Sequence, residues 1–438
     1  MSAQSRNKKT DWLSTLSLKT TRLGAIRPTA NNLKQLISHH PELAGAIRFD
    51  EFAGRIIATR PISGAGVGRY PRPWDDRDSA DLQIMLDADV DIEPTSIDAI
   101  DRAVDAVARE PQNRGNDIVS ALLDLAEDVT ARDDAPFRRI LAAMHVDEPG
   151  GIASTMLRRW MTGAAARAIE PGVKFDSMLI LVGARHGSGK STFCHNLVAS
   201  IASPRYFADS PASISSKEAI ILMRDAWVWE WSELDNLAGA TLERVKSFIS
   251  SAVDEYREPY GRRCVQAPRH TAIIGTTNHE DILRDSTGSR RFWVVKTCAR
   301  GQARFTPISA AMIRDAWAVA AADVVAYLDG NRAGLPPWVM PAEEEAAAAR
   351  VAKEVTVADP WVDIITARID ASSIDEIRQG FSPETVYSWL GIAPADQTLS
   401  TSQRVGRAMA AIGYRLRGQR CRGSARYVSA LMDDCLRR

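Results

Sequence analysis

The residues with chemical potential in this chain begin with Gly183-Ala184-Arg185-His186-Gly187-Ser188-Gly189-Lys190-Ser191-Thr192, where glycines precede a lysine and two hydroxyls. Glycines in such a run let backbone N–H groups converge on an anion, and a helix starting behind them adds its own free N–H groups. Lys190 supplies a point charge for the β- and γ-phosphates of a nucleotide, and the Ser191 hydroxyl a ligand for Mg2+. Glu230 and Glu233 suit the two carboxylate tasks of such a site, holding the metal and orienting the attacking water. Glu230 is the better placed for the metal and Glu233 for the water, with the roles interchangeable at this level. Asn278, or Thr277 before it, would report the γ-phosphate, and Asn278 is suited to hold the lytic water. Arg290 and Arg291 then offer two consecutive guanidinium groups. The chemistry these residues define is hydrolysis of a nucleoside triphosphate with Mg2+; ATP is the expected one.

Such side chains need elements to hold them. Met178–Val182 is an apolar run short enough for a buried strand, and Phe193, Leu197, Val198 and Ile201 recur at helical spacing behind the loop. Strand, glycine loop and helix form the setting in which this loop binds phosphate. The strict spacing places the first glycine at position 184, where Ala184 stands; the turn leaving the strand uses Gly183 instead. Residues 227–229 predict a second buried strand ending at Glu230. Residues 271–278 predict a third with a polar end, and 292–295 a fourth. Between them, 241–253 reads as an amphipathic helix with Leu242, Val245, Ile249 and Val253 on its apolar face. Lys246 lies near that face, and aromatic and basic residues then surround a Pro…Gly turn, Tyr256 to Arg263. Residues 305–328 predict a helical lid, completing an α/β core over 173–335.

The remainder is long enough for further domains, since the chain has 438 residues. Formal net charge is zero, so no global field draws the protein onto nucleic acid and any such affinity is local. Five scattered cysteines, Cys194, Cys264, Cys298, Cys421 and Cys435, include no C-x-x-C pair. That argues for a reducing compartment and against a disulfide framework or structural zinc. Arg6, Lys8 and Lys9 are followed by no apolar stretch, so no signal peptide is expected, and no apolar run approaches the ~18 residues of a membrane span. A cytoplasmic protein without membrane partners is the expectation.

Residues 1–28 read as a flexible leader. In the α+β region 29–115 we expect a helix over 29–43, a hairpin pairing 46–50 with 55–59, and a helix over 97–108. The acids Asp75, Asp76, Asp78 and Asp81 resemble a metal cluster, but first-turn acids fit better: Asp78 or Ser79 would cap a helix over 80–86. Residues 116–172 predict helices at 118–125, 137–143 and 153–168. Beyond the core, 336–360 reads as a partly helical linker. The region 361–438 predicts helices at 361–369, 383–390 and 402–412, then an alternating stretch, 413–428, about a glycine-containing turn. Helices followed by a β-ribbon predict a winged helix. Arg404, Arg407, Arg415, Arg417, Arg420, Arg422 and Arg426 are almost unopposed by acids there, a cationic patch suited to phosphates.

The ordered motifs Gly-Ser-Gly-Lys-Ser-Thr-Phe, Trp-Glu-Trp-Ser-Glu-Leu-Asp, Lys246, Tyr-Arg-Glu-Pro-Tyr-Gly-Arg, Gly-Thr-Thr-Asn and Gly-Ser-Arg-Arg-Phe-Trp resemble the virulence-associated protein E family. The resemblance covers 171–300 well and 29–170 more weakly. It implies a phage or mobile-element P-loop ATPase related to superfamily 3 helicases, with an AAA+-like core working on DNA as a ring, usually a hexamer. It assigns Lys190 and Ser191 to Walker A, Glu230 and Glu233 to Walker B, and Asn278 to sensor 1. It makes Arg290 or Arg291 a finger reaching the neighbour's nucleotide, and Lys246 with Tyr256, Tyr260, Arg262 and Arg263 a DNA-facing element. Ala184 departs from the family's usual glycine, and the region before the core is too short for the primase-polymerase domain some relatives carry. The implied protein is a replication helicase meeting DNA and replication proteins of the element or host. The alternative is a nucleotide-switched DNA-binding regulator that does not unwind. A small-molecule kinase would leave the flanking regions without a role.

Overall fold

The computed structural model describes residues 11–62, 69–183, 185–209, 220, 223–232, 245–257, 264–278, 289–354, 360–417 and 425–429. These fall into two compact bodies, divided near residue 353.

The first body opens with α1 (Ala30–His39), β1 (Ile47–Asp50), β2 (Arg55–Ala58), β3 (Arg72–Pro73), α2 (Asp76–Asp89), α3 (Ile97–Ala108) and β4 (Arg114–Gly115). The four short strands form a sheet in the order β3-β2-β1-β4, with β1 and β2 antiparallel from Ile47↔Ala58 to Asp50↔Arg55. Leu33, Leu36, Leu82, Leu86, Ile100 and Val104 fill a separate apolar core here. Helix α1 starts at its Thr29 cap and stops at His39, short of the expected 43, because Pro41 cannot continue it. Helix α2 starts earlier than expected. Its cap is Asp75, not Asp78 or Ser79, and Asp78 closes a capping box with it. Asp78 also takes a two-pronged hydrogen bond from Arg72, at 2.7 and 2.8 Å. The acids are therefore committed to a helix start.

Three helices follow, α4 (Asp117–Glu127), α5 (Ala135–Ala143) and α6 (Ile152–Ile169), and then the central sheet. In chain order this comprises β5 (Met178–Val182), α7 (Lys190–Ala199), β6 (Phe207–Asp209), β7 (Val228–Ser232), the ribbon β8 (Val253–Arg257) and β9 (Cys264–Pro268), β10 (Ala272–Thr277) and β11 (Phe292–Lys296). Helices α8 (Ala310–Asp329) and α9 (Ala342–Glu354) complete the body. The sheet is parallel throughout in the order β11-β5-β10-β7-β6. Strands β5 and β10 are buried along their whole length, as a parallel sheet covered on both faces requires.

Helices α4 to α6 and α8 share one apolar core with this sheet. Three buried tryptophans lock the layers by donating their indole N–H to backbone carbonyls: Trp160 to Ile273 (2.9 Å), Trp227 to Ala164 (2.9 Å) and Trp317 to Leu197 (2.8 Å). Truncating any of them to Ala would cost about 3–5 kcal/mol. Such an order leaves a crevice at the carboxyl ends of β5 and β10, where open α/β sheets bind ligands. Val253 opens β8 and is 48% exposed; it is not the end of an apolar helical face, and helix is described only at 245–249.

The second body comprises α10 (Pro360–Asp370), α11 (Ile374–Gln379), α12 (Pro383–Trp389), α13 (Leu399–Ala411) and the antiparallel ribbon β12 (Tyr414–Arg417) and β13 (Arg426–Ser429). Its core holds Ile365, Val386, Val405, Met409 and Tyr414. Among the described residues no helix is long and apolar enough to cross a membrane.

Candidate nucleotide site

The loop after β5 is shaped by its neighbours. A Cβ at Gly183 would lie 2.7 Å from the Thr297 hydroxyl oxygen, so the turn glycine belongs at 183, where β11's exit crowds the strand end. Gly187 and Gly189 adopt left-handed φ of 73° and 111°, which L side chains rarely tolerate. Helix α7 begins at Lys190, and its first turns bury Lys190, Phe193, Cys194 and Leu197. A cavity of about 250 Å3 lies over this loop, reaching Ser232, Thr276, Thr277 and Asn278.

Lys190 Nζ sits among four oxygens: Gly183 O (3.2 Å), Arg185 O (3.3 Å), Ser188 Oγ (3.1 Å) and Asn278 Oδ1 (2.9 Å). Burial pushes the ammonium's pKa down, with the negative groups nearby opposing that shift. Asn278 Nδ2 also meets His186 Nδ1 at 3.0 Å, which ties the end of β10 to the loop.

Glu230 ends the buried part of β7 and is fully buried. Its Oε1 accepts from Ser191 Oγ at 2.7 Å and from Thr276 Oγ1 at 2.6 Å, while Oε2 has no partner among the described residues. Burial raises this carboxyl's pKa, and the two hydroxyl donors pull it back. A buried carboxylate with an orphan oxygen, beside a serine hydroxyl, is the oxygen-donor chemistry Mg2+ takes. Ser191 and Glu230 thus fit the metal. Among the described residues no cluster of three or more His, Cys, Asp or Glu could hold one.

Thr276 escaped the sequence reading. Its signal was the two-residue alternation of β10, which turns Thr276 to one face and Thr277 to the other.

Arg290 and Arg291 lie elsewhere. They precede β11, whose pairing with β5 runs from Phe292↔Met178 to Lys296↔Val182, so they stand at the amino edge of the sheet. Strand rise puts that edge about 13 Å from the glycine loop. Lys246 and Tyr256 are both only 6% exposed, and the Arg224 guanidinium lies 5.3 Å from the Tyr256 ring centre. The structure places these two inside the first body. In the second body the Arg404 guanidinium lies 3.8 Å from the centre of the Trp361 ring, and Arg415 and Arg417 are exposed on β12. Arg407 lies on α13. Ala184, Glu233, Tyr260, Arg262, Arg263, Arg420 and Arg422 lie outside the described residues.

A parallel α/β sheet with a glycine loop at its carboxyl edge is the class that fold and site define. The model of the virulence-associated protein E-like domain matches residues 123–357, more than half of the sequence, and the chain belongs to that family. The match runs from the second half of α4 through α9. Among solved structures, the chain is similar to the apo structure of the NrS-1 C-terminal region, at 12% identity and a TM-score of 0.43, covering 87% of this chain and 95% of that one. It is also similar to a structure described as SCCmec type IV Cch, active helicase, at 11% identity and a TM-score of 0.35, covering 90% and 94%. No curated protein matches.

Proposed function

We propose that this protein is an ATP-driven DNA helicase or replication ATPase of a phage or mobile element, built on a P-loop core of the AAA+ and superfamily 3 helicase type. The observation that carries this reading is the convergence of Lys190, Ser191, Glu230 and Asn278 on one crevice. ATP is the substrate. The oxygens around Lys190 are neutral acceptors that the β- and γ-phosphates would replace, and N–H groups of the loop and of α7 would complete the cradle. Ser191 and Glu230 would hold Mg2+, which when bound neutralises charge on the transferred phosphoryl group. Glu233 remains our choice for the carboxylate that orients water, with Asn278 fixing that water from the side of β10.

Arg290 and Arg291 stand too far from this chain's own loop to serve it, which favours a finger acting on the next subunit of a ring, in our reading a hexamer. DNA would be met by the tip between β8 and β9, where Tyr260, Arg262 and Arg263 fall in sequence, and by the second body. There the ribbon β12–β13 would act as the wing of a winged helix, with Arg404, Arg407, Arg415, Arg417, Arg420 and Arg422 on phosphates.

Strand displacement on forked DNA, with Lys190→Ala as control, tests the proposal. ATP-dependent displacement by the wild type alone supports it. DNA-stimulated hydrolysis without displacement would favour a nucleotide-switched DNA-binding protein, and absence of hydrolysis would remove the ATPase reading. Substituting Arg415 or Arg417 should flatten the salt dependence of DNA affinity by about one unit of log–log slope each.

A further inference from the structure

Two consecutive arginines stand before β11, and the structure treats them differently. Both line a cavity of about 580 Å3 at the amino edge of the sheet, together with Asp176. The backbone carbonyl of Arg290 accepts from the buried Trp293 indole at 3.0 Å, so its Cα is fixed. Its side chain is exposed, and the guanidinium makes no hydrogen bond or ion pair among the described residues. Arg291 is half-buried and engaged: Nε donates to Ser250 Oγ at 3.0 Å and lies 4.0 Å from Asp176 Oδ2.

Ser250 is more than a passive acceptor. Its hydroxyl donates in turn to Lys246 O at 2.7 Å, at the end of the helical turn 245–249. Three residues on, β8 begins. The same short segment is also gripped by Arg269, which binds Asp254 through Nε at 3.0 Å and donates to Phe248 O, and by the buried Arg167, which reaches Ser251 O at 3.4 Å. The foot of the β8–β9 ribbon is therefore clamped by arginines, and Arg291 is the clamp that belongs to the turn carrying Arg290.

We propose that Arg290 is the group presented to a neighbouring subunit's nucleotide, and that Arg291 is a positioning residue tying the Arg290 turn to the foot of the β8–β9 ribbon through Ser250. The inference rests on the ATPase reading above and deepens it. A displaced ribbon moves Ser250, Ser250 moves the Arg290 turn, and DNA on the ribbon thereby sets the rate of hydrolysis next door. Arg291 cannot reach outward without giving up Ser250.

The test is steady-state ATP hydrolysis by the full chain, with and without single-stranded DNA, alongside thermal stability. Arg290→Ala should lose at least about 10³-fold in turnover under both conditions. Ser250→Ala should hydrolyse as the wild type does without DNA and lose the stimulation by DNA, whereas Ser250→Thr, which keeps the hydroxyl, retains it. Arg291→Ala should lose stimulation while staying at least about tenfold more active than Arg290→Ala, and combining it with Ser250→Ala should add nothing, as for two partners of one bond. Equal inactivity of the two arginine variants would overturn the division of roles. So would full stimulation of Ser250→Ala, or a wild type that hydrolyses ATP without responding to DNA. A wild type that binds ATP and never hydrolyses it would instead overturn the ATPase reading.

Discussion

The two edges of the parallel sheet handle buried charge in opposite ways. At the carboxyl edge, one ammonium and one carboxylate, Lys190 and Glu230, are held by neutral groups: hydroxyls, carbonyls and an amide. An acceptor is left over there, Glu230 Oε2. At the amino edge, charges are paired with each other or driven into backbone carbonyls. Arg269 is matched to Asp254, Arg205 to Asp50 at 2.9 Å, and Arg55 to Asp225, while Arg167 donates to Thr271 O (2.7 Å) and Phe175 O (2.6 Å). A leftover acceptor beside a hydroxyl is poised for a cation, whereas paired charges brace the fold, since a buried ion left without its partner is costly. Arg290, among the described residues, is an uncommitted cation at the amino edge carried on a fixed backbone.

The sharpest way to break this comparison is to remove one cation from each edge. Lys190→Ala and Arg290→Ala should each lower turnover by on the order of 10³–10⁵, the range for a phosphate-binding cation or finger. On the proposed reading they act on different nucleotides. Mixing the two inactive proteins should restore part of the activity, because an intact Lys190 in one subunit can meet an intact Arg290 in the next. A mixture as inactive as its components would place both residues in one site and end the two-edge description. Glu230→Gln should retain ATP binding and lose about 10²–10³ in turnover, measured by nucleotide titration beside hydrolysis.

Much of the carboxyl edge was legible in the sequence, because glycines, a lysine and strand-terminal polar residues announce themselves by position. The short strand Met178–Val182 is apolar throughout and Ala272–Thr277 opens apolar and turns polar at Thr276, so their ends, and the loop and Asn278 beyond them, fall where the apolar run stops. The amino edge was not legible in this way. Arg167 and Arg269 sit in helix and loop as ordinary basic residues, and only tertiary packing turns them into clamps. Strand β6 is three residues long and has no pattern to read. On the ribbon β8–β9 apolar residues such as Val253 and Val265 stay exposed, and Val253 falls by spacing into the helical stripe of Leu242, Val245 and Ile249. Tyr256 shows the converse: the family resemblance makes it part of a DNA-facing element, and its ring is buried with the Arg224 guanidinium beside it. Helix α11 left one visible sign, the Ser373–Glu376 capping box, which went unused.

A smaller effect separates glycines within the carboxyl edge. Gly189→Ala must adopt φ of 111° and place a Cβ 3.2 Å from the Phe305 ring, so it should cost about 1–3 kcal/mol of stability. Gly187→Ala meets nothing within 4 Å and should cost only about 1 kcal/mol, for backbone strain alone. Urea unfolding of both variants reads the difference. Equal costs would mean that Phe305 does not press on the loop as it does here.

The amino edge offers a test by pH. His270 lies there with its Nε2 2.6 Å from Arg224 O and its ring 4.1 Å from that of Phe52. Burial, reinforced by the positive charges of Arg224 and Arg167, holds its pKa down at about 4, against the pull of the Arg224 carbonyl and of Asp254. The unfolded chain therefore takes up a proton near pH 6.5 that the folded protein refuses until about pH 4. Stability present at neutral pH is lost as pH falls through that window, by at most about 3 kcal/mol from this group. His270→Gln removes the titration and should flatten the loss relative to wild type between pH 7 and 4.5, whatever its constant cost. The buried acids Asp50 and Asp225, whose pKa values burial raises, titrate in the opposite sense but are common to both proteins and cancel in the difference. Parallel pH profiles would show that His270 is hydrated in the folded state, and that the amino edge is looser than its paired charges imply.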